Sequence, residues 1–418
     1  MHSVVEAVIP LKDSQLLIWM SILKKPELNK YNELIGIKVY GNKLYDDGII
    51  EKSIVILSEK IAALRSIVTW NKTKVPYIIV YQRPFVNYIS IDGSAFFNRN
   101  WYDSFIEEKW KEEVKIDVVP FYFYIIKENE TYSHILLKFS HILVDGWSTT
   151  IILEELYTIL YNMIRKEKYS TKKFEYENKV NSSKDENRNR LFWKQYLNDF
   201  TKSDFDVKEG EVSFWNSHFN WKASSLSQFS LAVYIYASWI LNEYISRNNK
   251  NVQFGMMVSG REVNTELLEK VGFYMKTLPF FISLDLSWTI NELLQKVNKL
   301  LLDIITHSDI SINEIHKINN SRCVYNKVIV IQNYFSNLLN FDNEELKFEL
   351  ETKKYDNDVD LCLAVRVFES DIYLDINYNP KKYQEEKIKK SVATMKKIFF
   401  LVTDSKLESE QLFDILVN

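Results

Sequence analysis

The sequence is poor in glycine, proline and cysteine, and each shortage excludes a class of protein. Its 418 residues include 9 glycines and 7 prolines, too few for a collagen-like fibre or a disordered low-complexity chain. The two cysteines, Cys323 and Cys362, lie in apolar strand-like runs, where we interpret them as buried hydrophobic residues rather than a redox pair. A chain of this length buries a large core without a disulfide or a metal.

Charge and histidine spacing exclude further classes. A net charge of −3 gives no basic field that would attract nucleic acid or an acidic membrane. The six histidines lack zinc-type spacing, so we expect no metal. Residues 1–10 do not resemble a signal peptide, and the most apolar long stretch, residues 231–241, is too short to span a bilayer. These features predict a soluble cytoplasmic protein.

One polar segment divides the chain. Residues 165–190 are charged, rich in asparagine and serine, and poor in aliphatic side chains, which is typical of a solvated crossover between lobes. A long polar surface helix is the alternative interpretation. We therefore predict an N-terminal lobe over residues 1–168, a crossover over 169–190 and a C-terminal lobe over 191–418. The length agrees with lobes of about 150 residues or somewhat more.

Both halves of the chain mix helical and strand periodicities. Because the predicted strands do not alternate strictly with helices, we expect an α+β fold rather than a doubly wound sheet. The predicted helices cover residues 49–64, a stretch after Asp145, 192–200, 226–246, 290–305 and 381–402. The predicted strands cover residues 75–82, 85–91, 121–126, 132–139, 252–258, 324–332, 361–368 and 372–378.

The segment SHILVDGWS, residues 140–148, is the sharpest local feature. It follows the predicted strand 132–139, and strand periodicity places His141 on the same face as Phe139. Asp145 lies at the turn four residues later, and Gly146 allows another group to approach the backbone closely. Ser148 or Thr149 is a candidate N-cap for the next helix.

These residue types suit the transfer of an activated acyl group. A neutral imidazole at His141 orients or deprotonates a nucleophile near neutral pH, and a backbone N–H near Gly146 donates to the oxyanion. A buried Asp145 paired with an arginine would hold the loop rather than act as a base. Two alternatives stay open: His141 as an ordinary core histidine, and metal ligation by His141 and Asp145, for which no third ligand is evident.

Seven short segments, in order along the chain, carry a resemblance to a known family. They are SQLLIW from residue 14, ALRS from 63, SHILVDGWS from 140, VSGR from 258, VGFYMKTLP from 271, HSDI from 307, and Ser321-Arg322 followed by a strand ending QNY at 334. They resemble the motifs of the condensation domains of nonribosomal peptide synthetases. The third segment is similar to the HHxxxDGWS signature, with Ser140 in place of the first histidine.

The resemblance implies a fold and a site. The family fold has two chloramphenicol-acetyltransferase-like lobes in a V, with the active site at their junction. A partner carrier protein delivers the acyl thioester on its phosphopantetheine arm, and the acceptor meets it at His141. The resemblance implies catalytic roles for His141 and Gly146. It implies structural roles for Asp145, for its salt-bridge partner Arg261, and for Ser140. The residues implied to bind substrate are Trp147, Ser148 and Asn333.

The expected function is that of a freestanding condensation enzyme in nonribosomal peptide-type secondary metabolism. It would join a carrier-bound acyl or aminoacyl thioester to an amine or hydroxyl acceptor, as a monomer with no permanently bound cofactor and with carriers supplied in trans. Two alternatives are kept. One is an acyl-coenzyme A-dependent acyltransferase acting on a small molecule, a class with a single histidine in HxxxDG. The other is a degenerate module that recruits a carrier or partner, which Ser140 favours.

Overall fold

In the computed structural model, the described residues are 4–24, 30–41, 44, 48–70, 75–83, 87–176, 186–198, 212–220, 228–262, 264–320, 325–332, 344–368, 371–412 and 414. The chain forms two compact units. The first comprises Met1–Asn181, Asn264–Tyr274 and Tyr334–Asn357, and the second comprises Ser182–Val263, Met275–Asn333 and Asp358–Asn418. The lobe boundaries at residues 168 and 191, and the V arrangement of the lobes, stay predictions.

The described elements are a mixture of helices and strands, as the α+β prediction required. In the first half they are β1 (Val5–Pro10), α1 (Asp13–Lys24), β2 (Asn32–Gly41), α2 (Ile49–Lys60), β3 (Ser66–Thr69), β4 (Tyr77–Tyr81), β5 (Asn87–Asp92), α3 (Arg99–Lys111), β6 (Phe121–Lys127), β7 (Tyr132–Ser140), α4 (Gly146–Ile164) and α5 (Glu186–Tyr196). In the second half they are β8 (Ser213–Asn220), α6 (Leu231–Arg247), β9 (Asn251–Val258), β10 (Lys276–Ser283), α7 (Ile290–Thr306), α8 (Ile312–Asn319), β11 (Lys327–Gln332), β12 (Leu346–Tyr355), β13 (Leu361–Phe368), β14 (Asp371–Tyr378) and α9 (Glu385–Val402). Single turns of 3₁₀ helix follow α2, β9 and α9.

The first unit is built on a five-stranded sheet in the order β12-β2-β7-β6-β5. Strand β7 lies at its centre, paired antiparallel with β2 and β6. Its register places Asn32 opposite Ser140 and Glu33 opposite Phe139. Because side chains on both faces of β7 are buried, the strand end that precedes His141 is rigidly held. A smaller three-stranded sheet has the order β1-β4-β3.

A histidine of this sheet lies between the carboxylates of two glutamates. In His134 of β7, Nδ1 lies 2.6 Å from Glu351 and Nε2 lies 2.9 Å from Glu128. Because carboxylates only accept hydrogen bonds, we infer that both ring nitrogens carry protons. Burial alone would raise the pKa of both glutamates. At Glu128, hydrogen bonds and charge from Lys38 and His134 outweigh burial, and at Glu351 those from His134 do. The pKa of each glutamate is therefore lower than its ordinary value.

This cluster predicts a loss of stability in acid. The unfolded carboxylates bind protons near their ordinary pKa of 4.5, whereas the folded ones bind them at lower pH. The contribution is therefore complete above about pH 5 and is lost as the pH falls through the folded pKa values. Urea unfolding between pH 7 and 3 should show a shallower acid loss for Glu351→Gln than for the unsubstituted protein. The exposed control Glu130→Gln should leave the slope unchanged, and equal slopes for all three proteins would contradict the assignment.

The second unit has a six-stranded sheet in the order β10-β9-β11-β13-β14-β8. Strand β11 runs parallel to both β9 and β13, and the other pairs are antiparallel. Helices α6, α7 and α9 contribute to one core with this sheet. Cys362 is buried in β13, as interpreted from the sequence, whereas Cys323 lies outside the described residues.

Two local predictions need correction. The helix expected over residues 192–200 is α5, which begins at Glu186, inside the predicted crossover, because Trp193 anchors it in the core. The N-cap of α4 is Asp145, and neither Ser148 nor Thr149 fills that position. None of the helices in the described part of the chain is long and apolar enough to cross a membrane.

Candidate active site

His141 follows β7 directly, and both its backbone and its ring are held in place. Its N–H donates to the carbonyl of Tyr31 at 2.6 Å, which extends the pairing of β7 with β2. Its Nδ1 lies 2.6 Å from the carbonyl of Val144. Because a carbonyl only accepts, we infer that Nδ1 carries the proton. In the neutral ring, Nε2 therefore has the free lone pair that a base needs.

Two aromatic rings restrict the orientation of the imidazole. The ring of Phe139 lies edge-on at 6.2 Å between centroids, and the ring of Phe273 lies edge-on at 6.1 Å. The His141 side chain keeps 15% of its surface exposed. Packing and the hydrogen bond to Val144 thus hold the ring in one orientation, and part of the side chain remains exposed to solvent.

The carbonyls of the loop after His141 are also occupied. Gln15 donates to the carbonyl of Ile142 at 2.7 Å, and the hydroxyl of Tyr176 donates to the carbonyl of Leu143 at 2.7 Å. Burial raises the pKa of Tyr176 far above its ordinary value, so the hydroxyl stays a donor. Sequence analysis missed the role of both anchors. Gln15 entered only as part of a motif, and Tyr176 lies in the predicted crossover, where nothing in the local sequence marks it.

Asp145 is a structural residue in this geometry. One carboxylate oxygen accepts from the backbone N–H of Ser148 at 2.9 Å, and the other accepts from the N–H of Tyr274 at 2.9 Å. Its own N–H donates to the carbonyl of Gly272 at 3.2 Å. The carboxylate therefore caps α4 and fastens residues 264–274 to the start of that helix. The structural role predicted for Asp145, which includes a pairing with Arg261, stays a prediction.

The neighbours of Asp145 differ in how their polar groups are used. The hydroxyl of Ser148 donates to Gly272 at 2.7 Å and accepts from it at 2.9 Å, so it serves the local structure. The indole N–H of Trp147 donates to the carbonyl of Leu268 at 2.9 Å. The predicted contacts of Trp147 and Ser148 with substrate stay predictions.

Gly146 and Ser140 each have a polar group without a hydrogen-bond partner among the described residues. Gly146 is the first residue of α4, and its backbone is helical rather than left-handed. Its N–H lies in the first turn of α4, where backbone donors have no partner within the helix, and it has no acceptor among the described residues. The hydroxyl of Ser140 is buried and likewise finds no partner in the described part of the chain. The roles predicted for Gly146 and Ser140 stay predictions.

Two predicted site residues remain, Arg261 and Asn333. Arg261 belongs to the second unit, where it is buried and its N–H donates to the hydroxyl of Ser259 at 3.1 Å. Its pairing with Asp145 stays a prediction. Asn333 lies outside the described residues, as do Ser321 and Arg322 of the seventh segment.

Two charged residues beside His141 were not found from the sequence. Glu33, in β2, places one oxygen 3.4 Å from His141 Nε2 and the other 3.1 Å from Nζ of Lys353 in β12. Neither β2 nor β12 was among the predicted strands, and only the strand register shows that these side chains approach each other. The observed site therefore combines an oriented imidazole, a capped turn and a buried ion pair.

Comparison with known proteins gives one family. The model of the Condensation domain matches residues 5–404. Tyrocidine synthase 2 of Brevibacillus parabrevis is 23% identical over 404 residues, which cover 90% of this chain and 11% of that protein. Bacitracin synthase 3 of Bacillus licheniformis is 26% identical over 227 residues, 50% of this chain and 4% of that protein. The chain thus spans a small part of these curated relatives.

Solved structures share the fold. A variant of the starter condensation domain of rhizomide synthetase matches with a TM-score of 0.81 at 12% identity, over 97% of this chain and 96% of that one. The first condensation domain of the calcium-dependent antibiotic synthetase matches with a TM-score of 0.81 at 12% identity, over 98% of both chains. At this level of identity the likeness shows a common architecture.

Proposed function

We propose, from the premise that this chain belongs to the Condensation domain family, that it transfers a carrier-bound acyl or aminoacyl group to an amine or hydroxyl acceptor at His141. Condensation domains of the nonribosomal peptide type are acyl or peptidyl transferases, and amide formation is the reaction that the family implies. The observation that carries the assignment to His141 is the ring geometry. Nδ1 is committed to Val144, and Nε2 is left as the basic nitrogen.

The reaction needs one proton acceptor and one oxyanion donor. The lone pair of the acceptor attacks the thioester carbon, the carbonyl π electrons move to oxygen, and the acceptor's proton passes to Nε2 of His141. When the tetrahedral intermediate collapses, the carbon–sulfur bond breaks and the proton returns from His141 to the leaving sulfur. No covalent enzyme intermediate is required, because the thioester is already activated.

The start of α4 supports the second requirement. The N–H of Gly146 has no acceptor among the described residues and sits at the positive end of a 19-residue helix. A backbone donor in that position stabilises negative charge that develops nearby. We assign the oxyanion to this N–H, with Asp145 holding the turn that presents it.

The donor is proposed to arrive on the phosphopantetheine arm of a carrier protein, supplied in trans to a monomeric, freestanding enzyme with no permanently bound cofactor. Arg261 is proposed to pair with Asp145, and Trp147, Ser148 and Asn333 to contact substrate. Cytoplasmic location and a place in secondary metabolism belong to the same proposal.

A coenzyme A donor is the second candidate. It is favoured by one solved neighbour, a variant of the starter condensation domain of rhizomide synthetase, which is in complex with C8-CoA and Leu-SNAC. A third candidate, a recruiting module without activity, is favoured by the unpaired hydroxyl of Ser140. The retained His141, Asp145 and Gly146 argue against it.

One experiment separates the three candidates. Purified protein is offered an acylated carrier protein or the matching acyl-coenzyme A, each with a panel of amines and alcohols, and product is followed by mass spectrometry. The proposal expects product from the carrier and little from coenzyme A. Comparable rates from coenzyme A would favour the second candidate. Carrier binding without any turnover would favour the third and would contradict the proposal.

A further inference from the structure

A buried ion pair lies beside the nitrogen to which the proposed reaction delivers its proton. One carboxylate oxygen of Glu33 lies 3.4 Å from Nε2 of His141, and the other lies 3.1 Å from Nζ of Lys353. The side chain of Glu33 is 1% exposed and that of Lys353 is 8% exposed. Neither carboxylate oxygen makes a hydrogen bond of good geometry in the described part of the chain. The carboxylate is therefore desolvated and held mainly by neighbouring charge.

The strand register fixes this arrangement. Glu33 is paired with Phe139 on β7 and with Tyr355 on β12. Directly paired residues share a face of the sheet, and so do residues two positions apart along a strand. Lys353 and His141 therefore lie on the same face as Glu33. The contact between the carboxylate and the imidazole follows from backbone pairing rather than from a flexible side chain.

The charges interact differently before and after proton transfer. With Nδ1 of His141 donating to Val144, a neutral imidazole has no positive charge to attract the carboxylate of Glu33, whose oxygen lies 3.4 Å from Nε2. Once Nε2 has received a proton, the ring is positively charged and the opposite charges attract. Before transfer, Lys353 balances the charge of Glu33. An interaction that strengthens as the reaction proceeds lowers its barrier.

We infer that Glu33 is a positioning residue that acts through His141, favouring the passage of the acceptor's proton to Nε2, and that the ion pair with Lys353 holds the carboxylate in place. This inference rests on the proposed function, since it takes His141 as the proton acceptor. Glu33 itself neither gains nor loses a proton. The proton moves from the acceptor to Nε2, where the charge of Glu33 stabilises the imidazolium, and then to the leaving sulfur.

A double substitution separates chemistry from folding. Glu33→Gln alone would remove one charge of a buried ion pair and keep the other, and it would destabilise the fold. Glu33→Leu combined with Lys353→Met removes both charges at similar volume, and such replacements commonly preserve stability. The matched control is the same exchange at the buried pair Glu243 and Lys327, which lie 2.5 Å apart in the second unit. Both double variants are expected to melt within a few degrees of the unsubstituted protein.

The double substitution is expected to lower kcat while leaving KM nearly unchanged. Glu33→Leu/Lys353→Met should lower kcat at least tenfold, with the KM values for donor and acceptor within twofold. The control pair should keep kcat within twofold. If the double variant at Glu33 and Lys353 retained kcat within twofold, the ion pair would be only structural. If KM for the acceptor rose while kcat held, Glu33 would bind the acceptor directly, and the inference would be overturned.

A spectroscopic readout keeps the inference independent of turnover. In protein labelled with ¹⁵N-histidine, the Nε2 signal of His141 should move on the double substitution, while the signals of the exposed His218 should not. An unmoved His141 signal would overturn the inference even in an active enzyme. A protein that made no product from any donor would refute the proposed function, and the ring signals would still decide whether Glu33 acts on His141.

Discussion

Replacing His141 with alanine should lower kcat at least about a hundredfold, equivalent to about 2.7 kcal/mol of transition-state stabilisation. The substitution removes the only imidazole of the HxxxDG loop and with it the nitrogen that receives the acceptor's proton. The effect should fall on kcat for both amine and alcohol acceptors, because the proton has to leave in either reaction. Steady-state rates with a saturating acylated carrier measure it.

The matched control is His218→Ala. His218 is exposed on β8 and stacks against Tyr373, so its loss should leave kcat within twofold. The His141 variant should also keep its far-UV circular dichroism and its thermal unfolding, because the ring is partly exposed and makes one side-chain hydrogen bond. Equal rates for the two variants would remove His141 from the chemistry.

Asp145→Asn should destabilise the protein by on the order of 2 kcal/mol, since a hydrogen bond to a charged acceptor is worth more than a neutral one. The two oxygens of Asp145 accept from the backbone N–H groups of Ser148 and Tyr274. Whichever way an asparagine amide is turned, its NH₂ faces one of these donors. The predicted pairing with Arg261 would add to the loss.

Urea or thermal unfolding measures this change, with Asp285→Asn as the control. Asp285 is an exposed turn residue that uses one oxygen to accept from Ser287, an arrangement that asparagine reproduces. Its substitution should alter the free energy of unfolding by less than about 0.5 kcal/mol. Unchanged unfolding of the Asp145 variant would contradict both its capping role and its predicted pairing with Arg261.

The sequence patterns on either side of residues 141–145 were sufficient to predict the turn that carries His141. Strand β7 has the apolar alternation of a buried strand, and α4 has apolar side chains at helical spacing, so the position of His141 between them was predictable. The capping role of Asp145 was not, because Ser148 and Thr149 are equally good N-caps by type. Only the coordinates show which side chain reaches the first free N–H groups of α4.

Local sequence patterns could not predict the contacts around His141, because they do not show which distant segments pack together. Glu33, Lys353 and Tyr176 come from segments far from His141 in the chain. The approach of Glu33 and Lys353 depends on the pairing of β2 with both β7 and β12. A charged residue such as Glu33 in an apolar run is typical of a solvent-facing position. Its burial reflects the compensating charge of Lys353, which no short-range pattern reveals.

The most direct test of the central claim is the single-turnover rate of His141→Asn with a stoichiometric acylated carrier and saturating acceptor. The amide of asparagine can reproduce the hydrogen bond from Nδ1 to Val144 but has no nitrogen at the position of Nε2. We predict a folded, carrier-binding protein that forms product at least about a hundredfold more slowly. Product formation at the unsubstituted rate would show that Nε2 does not accept the proton.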